Sequence, residues 1–161
     1  MTEDQFKALF DRHFDPIRRY LYFRSGDGQL STDLAQDTFM KVWERGKLLK
    51  PDKDYGLLYK IAGDLFVSHI RRVKLSREIF SELEFSLWDE GPEGELQYRE
   101  LEENYKRVLA RLPEKQRTVF LMSRMEELSY REIAECLSIS VKAVEKRMSA
   151  ALVQMRKEIK S

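Results

Sequence analysis

The side chains best placed to act on another molecule lie between Ser140 and Ser149. With Val141, Val144 and Met148 turned inward at helical spacing, Lys142, Ala143, Glu145, Lys146, Arg147 and Ser149 face out. Lysine and arginine donate to guanine edges or phosphates, glutamate accepts from cytosine, and an alanine methyl suits the thymine methyl. A solvated charged face on an ordinary helical hairpin has a similar composition. The element just before it favours the first reading. Ile133, Ala134 and Leu137 make an earlier apolar stripe, and Ser129 precedes Glu132 by three residues, the spacing of a capping box. Ser140 can cap the second helix in the same way, which leaves only Ser138-Ile139-Ser140 for the turn. Two short helices joined so tightly make a helix-turn-helix, whose second helix enters the major groove in DNA-binding examples. Ser138 stands where glycine often supplies a left-handed residue.

Other chemistries lack their residues. His13 and His69 stand far apart with no cysteine or histidine at ligand spacing, so neither a metal nor another cofactor is expected. Cys136 is the single cysteine; it rules out an internal disulfide and reads as a small buried hydrophobe. There is no phosphate-binding glycine loop, nucleophile elbow or HExxH, and no constellation that marks an enzyme. No long apolar run or signal-peptide pattern is present, so no membrane insertion and a cytoplasmic location are expected.

The elements that must position the outward-facing residues read as helices throughout, an all-α chain. Thr2 to Gln5 is a capping box, followed by Phe6, Leu9, Phe10 and Phe14 on one face. Pro16 is expected to break or kink that helix, with Ile17, Tyr20 and Leu21 resuming the stripe. Ser31 or Thr32 is expected to cap a second helix carrying Leu34, Ala35, Phe39, Val42 and Trp43, which ends near Gly46. A third carries Leu58, Ile61, Ala62, Leu65 and Ile70, with Gly63 weakening it by about 1 kcal/mol relative to alanine. After the bridge, Tyr105, Val108 and Leu112 begin a C-terminal unit of four helices, with Pro113 in a first turn.

Charge divides the chain in the same places. Residues 1–77 carry net +4, 78–103 net −9 and 104–161 net +6. Two basic helical units flanking an acidic connection suit a two-domain nucleic-acid binder. Phe80, Leu83, Phe85, Leu87 and Trp88 make the bridge more apolar than a plain linker needs, for packing within the chain or onto a partner.

Four segments together resemble the extracytoplasmic function (ECF) sigma factors of the sigma-70 family. FKALFDRHFDPIRRYL at 6–21 is similar to that family's opening helix, and DLAQDTFMKVW at 33–43 to its polymerase-binding motif. LLYKIAGDLFVSHIRR at 57–72 resembles the helix that meets the promoter −10 element. RLPEKQRTVFLM at 111–122, with the helix-turn-helix, resembles the −35-binding domain. The resemblance implies two small helical domains, 1–75 and 101–161, joined by an acidic flexible linker over 76–100 that threads through the polymerase. A chain of 161 residues has room for the family's second and fourth domains but not its third.

It also implies roles. Core polymerase would be bound through its β′ clamp helices by Asp33, Leu34, Gln36, Asp37, Met40 and Lys41, with the β flap as a further contact. The −10 element would meet Tyr55, Tyr59, Lys60, Asp64, His69, Arg71 and Arg72, where aromatics and cations can stack on and neutralise unpaired DNA. Ser140, Lys142, Ala143, Glu145, Lys146, Arg147 and Ser149 would read the −35 element. Relatives often carry tryptophan where this chain has Leu57, and asparagine where it has Asp64. The recognition helix resembles members from the Bacteroidetes branch, which implies an anti-sigma factor as a further partner. A helix-turn-helix regulator that binds duplex DNA as a dimer without polymerase is the alternative; it accounts for the opening motif but not for residues 1–77 or the acidic bridge.

Overall fold

The computed structural model describes residues 1–46, 48–50, 53–76 and 103–159, and every regular element among them is an α-helix. The acidic bridge, apart from Ser76 at its start, lies outside the described residues. The first unit holds α1 (Glu3–Ser25), α2 (Gly28–Arg45) and α3 (Tyr55–Ser76); the second holds α4 (Glu103–Arg111), α5 (Glu114–Arg124), α6 (Tyr130–Leu137) and α7 (Val141–Ile159).

Local chemistry sets most helix ends. Thr2 Oγ1 accepts from the Gln5 amide at 3.1 Å while the Gln5 side chain accepts from the Thr2 amide at 2.9 Å, a complete capping box. Gly26 and Gly46 close α1 and α2 in the left-handed region, at φ 70° and 68°. Three expectations fail. Pro16 does not end α1, which continues to Ser25, and Ile17, Tyr20 and Leu21 beyond it are all buried. Core packing on the distal half thus outweighs the hydrogen bond that proline cannot donate. Neither Ser31 nor Thr32 caps α2: Asp27 does, accepting from the Leu30 amide at 3.0 Å. Their hydroxyls instead donate to the Asp27 and Gly28 carbonyls within the first turn, the usual use of these side chains inside a helix. Pro113 stands just before α5 and not inside its first turn: its ring fixes φ at −53°, but ψ is extended at 143°.

The first core joins Leu9, Ile17 and Leu21 of α1 to Ala35, Phe39 and Val42 of α2 and to Leu58 and Ala62 of α3. Phe6, Phe10, Phe14 and Trp43 extend it as an aromatic cluster around Phe39, with ring centroids 4.6–6.3 Å apart. The second core is formed by Leu109, Val119, Met122, Ile133, Val144, Ala151 and Met155. Each fully buried aliphatic chain stabilises its unit by about 1.5–3 kcal/mol. Gly63 is buried at the α1–α3 crossing, where an added Cβ would lie 3.0 Å from the Tyr20 hydroxyl and 3.3 Å from Arg24 Nη1. The helix propensity it gives up allows that close approach.

Candidate nucleic-acid interface

The helix-turn-helix forms as its sequence predicts. Ser129 Oγ accepts from the Glu132 amide at 3.1 Å, and Glu132 Oε1 accepts from the Ser129 amide at 3.0 Å, so α6 starts with a complete capping box. Ser138 closes α6 in the left-handed region (φ 56°, ψ 45°), serving where glycine is the usual residue. Ser140 Oγ accepts from the Ala143 amide at 3.0 Å and starts α7.

The buried stripe of α7 is Val144, Met148, Ala151 and Met155, one every three or four residues. Val141, expected inside, is 40% exposed, because the first turn of α7 begins before that stripe reaches the core. Ser140, Lys142, Glu145, Lys146 and Ser149 are exposed, and Ala143 and Arg147 half-buried, so the expected reading face is continuous. Among the described residues no ion pair engages Lys142, Lys146 or Arg147, which leaves their donors available.

The residues singled out on α3 divide. Lys60, Asp64, Arg71 and Arg72 are exposed and His69 half-buried. Tyr59 is buried, edge-on to Tyr20 with centroids 5.1 Å apart, and burial pushes its phenol well above the usual range. Tyr55 is half-buried and donates its hydroxyl to Glu135 Oε2 of α6 at 2.6 Å. That bond to a carboxylate, helped by burial, raises the Tyr55 phenol to about 12. Phe66 is core, with the Arg24 guanidinium 4.5 Å from its ring centroid. On α2, Asp33, Gln36, Asp37, Met40 and Lys41 lie exposed along one side, while Leu34 is buried and serves the first core. Met40 and Trp43, 59% and 43% exposed, join Glu3 and Phe6 around a shallow cavity of about 240 Å3.

One group of contacts was missed in the sequence. The buried Arg117 of α5 donates from Nε to the Phe23 carbonyl and from Nη2 to the Arg24 carbonyl, both at 2.9 Å, and from Nη1 to Leu112 at 3.0 Å. Arg24 pairs with Glu114, and Arg19 with Glu126. These groups, with Tyr55–Glu135, tie the two units together. Desolvation lowers the Arg117 guanidinium to about 10, leaving it charged at neutral pH. Arg117 was legible in principle, since it falls on the same helix face as Phe120 and Leu121, where a cation needs buried acceptors.

Comparison with known proteins fits this division. The model for sigma-70 region 2 matches residues 9–75 and that for sigma-70 region 4 matches residues 102–155, in one chain and in that order. The chain belongs to the sigma-70 family. Among its relatives, the ECF RNA polymerase sigma factor SigW of Bacillus subtilis is 26% identical over 98% of this chain and 90% of its own. RNA polymerase sigma factor YlaC of the same organism is 29% identical over 97% and 92%. The sigma factor RpoE of Bartonella quintana, solved with the anti-sigma factor NepR, has the same fold (TM-score 0.74, 22% identity, 99% of this chain and 98% of that one). This is an RNA polymerase sigma factor of the ECF type, with α1–α3 as region 2 and α4–α7 as region 4. No described helix of the sigma factor is long and apolar enough to cross a membrane.

Proposed function

We propose that this sigma factor places core RNA polymerase on promoters through three faces of its own. The exposed row Asp33, Gln36, Asp37, Met40 and Lys41 on α2 docks the β′ clamp helices, and the Met40–Trp43 patch beside it gives that contact an apolar centre. Region 4 takes the −35 element with Lys142, Glu145, Lys146, Arg147 and Ser149, and also meets the β flap. Region 2 takes the −10 element with Lys60, Asp64, Arg71 and Arg72, joined by Tyr55 and Tyr59 once these are uncovered. Domain limits of 1–75 and 101–161 follow from this reading, with the acidic stretch 76–100 passing through the polymerase, where its charge matches a basic channel. The observation that carries the proposal is the α7 face, continuous, exposed and unengaged in ion pairs among the described residues.

Catalysis belongs to the polymerase; this chain contributes binding and help in melting, in the cytoplasm. An anti-sigma factor is a further partner, as NepR is for the Bartonella quintana protein. The recognition helix supports a Bacteroidetes-type protein.

The test is a titration of labelled chain with core RNA polymerase, followed by fluorescence anisotropy. Saturable binding is expected, with promoter duplex engaged strongly only in the presence of core. Failure to bind core, together with dimeric binding to duplex DNA alone, would establish the helix-turn-helix regulator instead.

A further inference from the structure

The reading face of α7 carries one acid among its cations. Glu145 is exposed and, like Lys142 and Lys146, its side chain engages in no ion pair among the described residues. Lys142, Glu145, Lys146 and Ser149 stand three and four positions from one another across the turns, so they form a single row on the helix. A carboxylate left free in such a row is out of place on a surface that only has to grip phosphates, which repel it. We propose that Glu145 fixes one letter of the −35 element: it requires cytosine in the major groove, an identity that the flanking cations alone would leave open. The proposal rests on the −35 reading of α7.

The helix beneath sets where the carboxylate stands. Ser140 Oγ caps α7 on the Ala143 amide at 3.0 Å, and Val144 and Met148, 0% and 5% exposed, fix its rotation. Glu145 follows Val144 and so lies about 100° round the axis from it, while Lys146, about 200° round, points away from the core. From Lys142 to Ser149 the axis rises by about 10 Å, the length of about three base steps of 3.4 Å. Glu145 sits inside that span, about 4.5 Å along the axis from Lys142 and about 1.5 Å from Lys146. The acid therefore meets the same short stretch of groove as the two lysines.

An ionised carboxylate offers acceptors only. On the major-groove edges guanine shows N7 and O6 and thymine shows O4, all acceptors; donors come only from cytosine N4 and adenine N6. Adenine's donor lies beside its N7, whose lone pair opposes a carboxylate, whereas cytosine has no acceptor on that edge. Cytosine is thus the base that satisfies Glu145. Any other base leaves the carboxylate desolvated and unpaired beside a polyanion. Lys142 and Lys146 behave in the opposite way, since each can settle on a phosphate whatever the base. Selection by Glu145 therefore works by excluding wrong sequences more than by strengthening the right one.

The experiment offers holoenzyme, formed from the full-length chain and core RNA polymerase, a pool of promoter-length duplex DNA of random sequence, and sequences what is retained. Wild type is expected to enrich a −35 motif with one cytosine that does not vary. Glu145→Gln should exchange that cytosine for adenine, which glutamine binds through N6 and N7 together, with the preference moved roughly tenfold. Glu145→Ala should relax that position alone. A switch from cytosine to adenine cannot arise from a folding defect, which would weaken all sequences alike. Both variants should also hold duplex of unrelated sequence more tightly than wild type, because a like charge has left the phosphates. An identical motif from wild type and both variants, or a change confined to a position where wild type does not select cytosine, would overturn the proposal. The same selection on the chain without polymerase separates this inference from the reading beneath it. A paired motif enriched by the chain alone would count against the sigma reading, while the Glu145 substitutions would still decide the base. No enriched motif in either arm would overturn both.

Discussion

Helix α7 shows Lys142, Glu145, Lys146 and Ser149 to solvent, whereas α3 keeps Tyr59 buried and lends Tyr55 to Glu135. Both helices carry residues proposed for promoter DNA, yet only one presents its full set. On α7 the division is made within the helix: Val144, Met148, Ala151 and Met155 take the inside, and what remains is the reading face. On α3 the division depends on α6, which the chain reaches only after two more described helices. A face set by local amphipathicity stands clear, while a face shared with a distant helix is partly covered. Specificity for the −35 element should therefore be a property of region 4 itself.

The sharpest way to break this comparison is at Arg117. Arg117→Ala removes the donors to Phe23, Arg24 and Leu112 at once. Because acceptors left unsatisfied in a buried site cost about 1–3 kcal/mol each before water enters, the expected loss is about 2–4 kcal/mol. Scanning calorimetry should show a melting point lower by roughly 5–15 °C for a chain of this size. A shift no larger than that of the exposed control Lys142→Ala would show that the guanidinium is not a structural tie.

Next in size is the reading face. Lys146→Ala and Arg147→Ala should each weaken promoter binding by the polymerase holoenzyme by about 1–3 kcal/mol if they contact base edges. The loss should concentrate on particular −35 base pairs in a competition assay. Loss spread evenly over all sequences, with a shallower salt dependence, would make them phosphate contacts. The melting point of either variant should stay close to wild type.

Gly63 tests the packing beneath the α3 face. Alanine there would gain about 1 kcal/mol of helix propensity. It would also press on Tyr20, which is 3% exposed and held by Arg24 through a 2.9 Å hydrogen bond, so the neighbour has little room to yield. A net destabilisation of about 1 kcal/mol is expected for Gly63→Ala, since overpacking a core typically costs 1–3 kcal/mol. Increased stability in urea denaturation would mean that Tyr20 gives way easily.

What could be read in the sequence follows the same divide. The capping boxes at Thr2 and Ser129, the stop at Gly46, the three-residue turn and the four-helix second unit are all short-range features, and all are present. The α2 and α7 faces were legible because one helical period separates inside from outside. Pro16 misled because the local cost of proline is visible and the tertiary packing that offsets it is not. Ser31 and Thr32 misled because Asp27, four and five positions earlier, takes the cap as the chain leaves Gly26, a start that the apolar stripe alone does not mark. The contacts of Arg117 and Glu135 were hidden for a stronger reason: their partners lie 93–94 and 80 positions away, beyond any periodicity.

The smallest effect isolates the Tyr55–Glu135 contact by pH. Glu135 holds the Tyr55 phenol protonated, raising it from 10.0 to about 12. A group whose pKa is raised on folding contributes stability in full below its unfolded value and loses it as pH climbs through the folded one. The contribution should therefore be constant up to pH 10 and fade between 10 and about 12. Its size is about 0.5 kcal/mol, because the bond lies near the surface and solvent screens it. Tyr55→Phe should accordingly melt slightly below wild type at neutral pH, with the difference closing in that alkaline window. Cys136 does not blur the result, since burial pushes its thiol to about 12 as well and removal of Tyr55 leaves it in both proteins. Equal melting points at neutral pH would mean that Glu135 does not hold Tyr55 in solution. A difference that persisted unchanged through the window would assign it to the ring, stacked 6.4 Å from His13, and not to the hydroxyl.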